Sequence, residues 1–221
     1  MDHLRVTASA VRGALCAGLL AVAACATGAR PSDRPAVGPS ARYDPPRDLG
    51  QLFHDVQVSG IFEDSKTFVD AQPRLPPDSI RRLYDGGVTD LRAFVERHFE
   101  LPAAAVETYR SDTAQSMEEH LRALWPVLIR GPPSGGAAQY SSLIPLPAPY
   151  VVPGGRFREI YYWDTYFTML GLVESGHTEL VRDMLDNFAH LVRTIGHIRN
   201  GNRTFYLHGS QPPYFAAMVG L

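Results

Sequence analysis

Apolar residues recur most regularly between Thr178 and Gly196. Leu180, Val181, Met184, Leu185, Phe188, Leu191, Val192 and Ile195 fall at spacings of three and four, which puts side chains on one face of an α-helix. His177 or Thr178 is placed to open this helix and Gly196 to end it. A second helix is predicted from Asp164 toward Val173, with Tyr166, Phe167, Leu170 and Val173 on its buried side and Gly176 closing it. Upstream, Ser116-Met117-Glu118-Glu119 has the form of a capping box. The helix it opens carries Leu121, Leu124, Trp125 and Leu128 on one face, with a local bend at Pro126. Asp78 or Ser79 can cap a short helix through Tyr84 that Gly86-Gly87 ends. Thr89 can cap the next, with Leu91, Phe94, Val95, His98 and Phe99 on its apolar side. A last helix begins near Pro212.

Between residues 49 and 68 the apolar positions show no clean period, so an extended or irregular arm is expected there. No segment alternates as a strand does. The expected class is all-α. The repeating unit of helix, polar and aromatic loop, then helix suggests a helical toroid with its loops at one end. The apolar pattern is still running at Leu221, so the toroid is expected to be incomplete in this chain.

The first residues read as an address. Arg5 and Arg12 precede an apolar run ending at Ala24 that is short for a membrane span. Its length and its small-residue end suit a secretory signal over residues 1–24. Val22-Ala23-Ala24-Cys25 resembles a bacterial lipoprotein processing site, with Cys25 as the lipidated residue. Cleavage after Ala21-Val22-Ala23 is the alternative. Either route leads out of the cytoplasm and leaves no transmembrane segment in the mature chain. Residues 25–48, rich in Pro, Gly, Ser and Ala, read as a flexible linker before a domain over residues 49–221.

Composition narrows the classes. An apolar share of 45% with 20% charged residues is globular, and a net charge of -2 gives no general attraction to nucleic acid. Cys16 falls in the signal, so the mature chain can form no internal disulfide. No Cys or His cluster has metal-ligand spacing, and no cofactor is expected.

Residues 153–172 hold the densest mixture of glycine, charge and aromatic rings. A core wants apolar side chains and a solvated surface few aromatics. A polyhydroxylated ligand wants both, because its faces stack on rings and its hydroxyls need directional partners. Gly154 and Gly155 allow a tight turn and a close approach. Arg156 offers a rigid donor fork; a structural ion pair to Glu159 or Asp164 is the alternative. Trp163 and Asp164 can cover a sugar face and accept from its hydroxyls, or serve as a core indole and a helix N-cap. A second stretch holds Asn200 and Gln211, which both donate and accept, although Asn200-Gly201 also suits an ordinary tight turn. His190 reads as structural, and His54, His98 and His120 suggest no relay.

The run Pro153-Gly154-Gly155-Arg156-Phe157-Arg158-Glu159-Ile160-Tyr161-Tyr162-Trp163-Asp164-Thr165-Tyr166-Phe167 resembles a signature of the trehalases of bacterial periplasmic type, hydrolases that split α,α-trehalose into two glucoses. The resemblance continues at Glu174-Ser175-Gly176-His177, at Asn200-Gly201-Asn202-Arg203 and at Ser210-Gln211-Pro212-Pro213. Upstream it takes in Leu52-Phe53-His54-Asp55-Val56-Gln57, Lys66-Thr67-Phe68 and Leu124-Trp125-Pro126-Val127-Leu128. It implies an (α/α)6 toroid, a periplasmic enzyme that is a monomer when complete, and a trehalose site built from Arg156, Phe157, Trp163, Asp164, Asn200, Ser210 and Gln211. It also implies an inverting mechanism whose general acid and base lie further along the family's chain than Leu221, so no residue here is assigned to catalysis. At Gly209 the sequence departs from the family, which carries a substrate-binding arginine there. A related glycosidase for another disaccharide, a non-enzymatic sugar-binding protein and an inactive remnant are the alternatives.

Overall fold

The computed structural model describes residues 42–102, 110, 112–132, 139–206 and 208–221. The expected signal, Cys25 and the linker as far as residue 41 lie outside the described residues. The described chain is predominantly helical. Its α-helices are α1 (Pro45–Leu49), α2 (Gln51–Ser59), α3 (Lys66–Val69), α4 (Pro77–Asp85), α5 (Leu91–His98), α6 (Met117–Leu128), α7 (Tyr162–Glu174), α8 (Thr178–Ile195) and α9 (Phe215–Val219). Two pairs of two-residue antiparallel strands join them. β1 (Gln72–Pro73) pairs with β2 (Phe99–Glu100), and β3 (Ile129–Arg130) with β4 (Tyr150–Val151).

Residues 49–68 are not an irregular arm. Three short helices run through them, α1 directly before Gly50, then α2 and α3. Gly50 (φ 55) separates α1 from α2, and Gly60 ends α2 in the left-handed region. Only Leu52 and Val56 of α2 are buried. One such pair is too short a stripe to show a helical period. Tyr43 and Pro45 are buried as well, so packing begins ahead of Leu49.

The capping chemistry follows the sequence closely at α6. The Ser116 Oγ accepts from the Glu119 amide at 3.3 Å, and the Glu119 carboxylate accepts from the Ser116 amide at 2.9 Å. At α5 the cap is Asp90, not Thr89, its side chain accepting from the Ala93 amide at 3.0 Å. α4 starts at Pro77, with Asp78 in its first turn. α8 runs from His177 as cap to Gly196 at φ 96.

Two hydrophobic clusters organise the chain. The first gathers Leu49, Leu52, Val56, Phe68, Ile80, Val95 and Phe99, with Phe68 and Phe99 edge to face at 5.0 Å. The second lies around α7 and α8, where Met169, Leu172, Met184, Phe188 and Leu191 meet Trp125, Ile144, Val151 and Met218. The buried side of α7 is Tyr162, Thr165, Met169 and Leu172, with Tyr166 and Val173 partly covered. Phe167 and Leu170, expected inside, are exposed. α7 is apolar nearly all round, so its pattern could not say which stripe faces the core. On α8 the exception is Val192, which is exposed, while Asn187 is fully buried. Asn187 accepts from the Ala148 amide at 3.0 Å and donates to the carbonyls of Ala148 and Pro149. One side chain thereby supplies the partners that a proline-rich extended segment cannot get from a sheet.

The β3–β4 pair delivers the chain to residue 153. The Val152 amide donates to the Leu128 carbonyl at 3.0 Å. Gly154 then packs on Leu128, where a Cβ would come within 2.9 Å of a side-chain methyl, and its φ of 101 independently requires glycine.

Candidate functional site

After Gly154 the backbone folds back in a tight turn, the Phe157 amide donating to the Gly154 carbonyl at 3.0 Å. Arg156 and Phe157 project from this turn and are exposed. The Arg156 guanidinium sits 2.7 Å from the Asp64 carboxylate and 5.7 Å from the Phe157 ring centroid. Its ion-pair partner is therefore Asp64, not Glu159 or Asp164. Both members are well solvated, so the pair is worth about 1 kcal/mol at most and leaves Arg156 available to a ligand.

Trp163 and Asp164 lie in the first turn of α7. The residue capping that helix is Tyr161, not Asp164. Trp163 is 40% exposed, which rules out the core indole. A carboxylate in this turn also sits in the favourable field of the helix N-terminus. The Trp163 amide donates to the Gln211 Oε1 at 3.0 Å. Because a backbone N–H can only donate, this contact orients the Gln211 amide and leaves its NH2 end as the donor to a ligand.

The second loop is tied to the first by its backbone. The Tyr162 amide donates to the Asn200 carbonyl at 3.1 Å, the Asn200 amide to the Gly209 carbonyl at 3.3 Å, and the Ser210 hydroxyl to the Ile198 carbonyl at 2.7 Å. Trp163, Asp164, Asn200, Ser210 and Gln211 are thus brought together at the start of α7. Arg156 and Phe157 connect to this group through Tyr161, whose ring meets Phe157 edge on at 5.6 Å. Next to them an aromatic surface continues through Phe167, Tyr166 and Tyr214, the latter two stacked at 4.9 Å.

Beneath the loops lies a buried ionic cluster that the sequence reading missed. Glu159, fully buried, accepts on Oε1 from the Lys66 Nζ at 2.8 Å and the Arg203 Nε at 2.6 Å. On Oε2 it accepts from the Tyr161 hydroxyl at 3.0 Å and the Arg158 amide at 3.1 Å. Lys66 also bonds Asp70, and the Arg203 Nη2 stands 3.3 Å from the Asp70 Oδ1. That last contact is an ion pair by distance but lacks the angle of a hydrogen bond, and Asp70 Oδ1 has no hydrogen-bond partner among the described residues. Burial pushes the Glu159 carboxyl up, but Arg203 and Lys66 together outweigh it and hold it below the usual carboxylate range. Burial raises the Asp70 carboxyl, and the pull of Arg203 does not cancel it. One sequence signal pointed here: Lys66 is the chain's only lysine. Asp70 stands four residues on, a spacing that pairs the two only within a helix, which the apolar pattern did not announce there. Among the described residues no group of three or more His, Cys, Asp or Glu is arranged to hold a metal ion.

Residues 60–221 match the family model described as Trehalase. The chain belongs to the trehalase family. It is 55% identical over 173 residues to a protein named putative periplasmic trehalase from Escherichia coli O157:H7, covering 78% of this chain and 30% of that one. It is 54% identical over 177 residues to a periplasmic trehalase of Shigella flexneri serotype 5b (strain 8401), covering 78% and 31%. The chain therefore spans about three-tenths of the length of these relatives. Among solved structures, neutral trehalase Nth1 from Saccharomyces cerevisiae matches 47% of this chain and 20% of its own at 34% identity, with a TM-score of 0.31, an overlap too small to bear on architecture. In this trehalase-family chain the Gly209 position is open. A Cβ built there meets nothing within 4 Å, and its φ is not one that excludes other residues.

Proposed function

We propose that this chain supplies part of the sugar-binding pocket of a periplasmic α,α-trehalase that releases two glucoses from trehalose. One observation carries this reading: near the start of α7 an exposed indole, a carboxylate, the Gln211 amide oriented by a backbone bond and Asn200 held by its backbone come together. That combination suits a pyranose, whose ring face stacks and whose hydroxyls both donate and accept. In this reading Trp163 covers a sugar face, Asp164 accepts from hydroxyls, Asn200 and Gln211 bond others, Ser210 supports the rim, and Arg156 with Phe157 closes the far side. The architecture proposed is an (α/α)6 toroid of which this chain forms a part, and the enzyme is a secreted monomer, with Cys25 as the residue lipidated if the leader is of lipoprotein type.

The reaction fits an inverting hydrolysis. A carboxylic acid protonates the bridging oxygen as its bond to one anomeric carbon breaks. A second carboxylate takes a proton from the water that attacks that carbon from the opposite face. Both groups are assigned to the part of the enzyme that this chain does not span.

The test is sugar turnover by the complete enzyme. Glucose release from trehalose, with none from maltose or cellobiose, is the expected outcome. Proton NMR should show α- and β-glucose forming in equal initial amounts, since one product is inverted and the other keeps its configuration. Hydrolysis of another disaccharide in preference to trehalose overturns the substrate. Gly209 favours a second reading, a trehalose-binding protein without turnover, and saturable trehalose binding with no glucose released would establish it.

A further inference from the structure

Glu159 takes no part in the proposed sugar contacts, yet it is the most heavily committed side chain near them. Its two oxygens accept four hydrogen bonds from four different groups: Lys66 on α3, Arg203 in the second loop, and Tyr161 and the Arg158 amide in the first. Four acceptor directions are all that a carboxylate offers, so it is saturated. Burying such a charge is costly, and an apolar residue of similar volume often stabilises a protein as well. What apolar packing cannot supply is direction. The four donors converge from two sugar-facing loops and from the layer below them.

The direction is transmitted. The Tyr161 hydroxyl is also 3.0 Å from the Tyr206 hydroxyl, and its ring lies edge on to both Phe157 and Tyr206. The next residue begins α7, with its amide on the Asn200 carbonyl. A shift of Tyr161 therefore moves Phe157 on one side and Trp163 on the other. We propose that Glu159 is a positioning residue for the sugar site, holding residues 154–163 and 200–206 in their mutual arrangement through the Tyr161 hydroxyl and the Arg203 guanidinium. This rests on the trehalase reading above only for its kinetic consequence.

The discriminating variant is Glu159→Gln in the complete enzyme. Gln has the same shape, but its NH2 end must face either the Lys66 and Arg203 donors, which cannot accept, or the Tyr161 hydroxyl and the Arg158 amide, of which only the hydroxyl can accept, and then only by giving up its own donation. Two measurements decide. Hydrogen exchange followed by mass spectrometry is expected to speed up on the order of tenfold in peptides from 154–163 and 200–206 while α8 stays protected. Kinetics on trehalose, normalised to folded enzyme well below the melting temperature, are expected to lose roughly 10- to 100-fold in kcat/KM, with a raised KM. If exchange in both loops stays within about twofold of wild type, the proposal is wrong. If exchange rises but normalised kcat/KM is unchanged, Glu159 is structural only, and positioning is likewise excluded. Should the Gln variant not fold, Tyr161→Phe keeps the carboxylate and every ring contact and removes one link. It must show the same effects in the same peptides, at smaller size, for the proposal to stand. A wild-type enzyme inactive on trehalose would sink the functional reading alone, leaving loop exchange to judge Glu159.

Discussion

Gly209 is the residue where substitution is most informative. An open Cβ direction means an arginine enters without strain. A charged, desolvated contact regained there is worth about 2–4 kcal/mol of binding or transition-state stabilisation. Gly209→Arg in the complete enzyme is therefore expected to raise kcat/KM on trehalose by at least tenfold. No gain would mean another group already fills the role. Trp163→Ala should do the reverse, lowering kcat/KM roughly tenfold through lost stacking at a smaller cost in thermal stability than a core tryptophan, because the residue is 40% exposed. At this scale the sequence named candidate residues but not their partners. Arg156 has its ion pair with Asp64, ninety-two positions away by the numbers, and Gln211 is oriented by the Trp163 amide. Neither contact has a local spacing, so no motif could announce it.

Elements were legible where a local device defines them. The capping box at Ser116 and the left-handed Gly196 are both chemistry within one turn, and both are present in the structure as expected. Ser116→Ala should cost about 1 kcal/mol, read as a lower denaturant midpoint with unchanged slope. Gly196→Ala should cost about 1–2 kcal/mol because its φ of 96 strains any side chain. Elements were illegible where the pattern was too short or too uniform. α1, α2 and α3 are each too brief to repeat an apolar stripe. α7 has the opposite problem, for apolar residues on every side leave the choice of buried face to tertiary packing. Its uncovered face, with Trp163, Phe167 and Leu170, is an apolar patch beside the candidate site.

For the molecule as a whole, the two hydrophobic clusters are bridged by charge. Lys66 and Asp70 sit beside Phe68 of one cluster, while Glu159 precedes Ile160 of the other. The all-α class was readable from helical periodicity. This bridge was not, because ion pairs between distant segments leave no periodic trace. Its pH dependence has a definite sign. The Glu159 carboxyl is held below its ordinary value of 4.5, so its stabilisation is fully present above that pH and is lost as pH falls through the folded value. Asp70, raised by burial, works in the opposite sense and softens the acid limb. Denaturant melts should show Glu159→Gln less stable than wild type by about 3–5 kcal/mol at neutral pH, with the gap narrowing below about pH 4.5. A gap independent of pH would mean that the charge of Glu159 is not what the fold uses.

The bridge also has a use at the bench. Lys66 is the only lysine in these 221 residues and is 7% exposed, its amine held between two carboxylates. An acylating reagent such as an activated ester has to reach the amine, and the folded state buries this one. Any acyl group found on Lys66 therefore records a moment when the joint between the clusters came apart. The protein carries its own tamper seal, readable by mass at a single residue without a probe having to be installed.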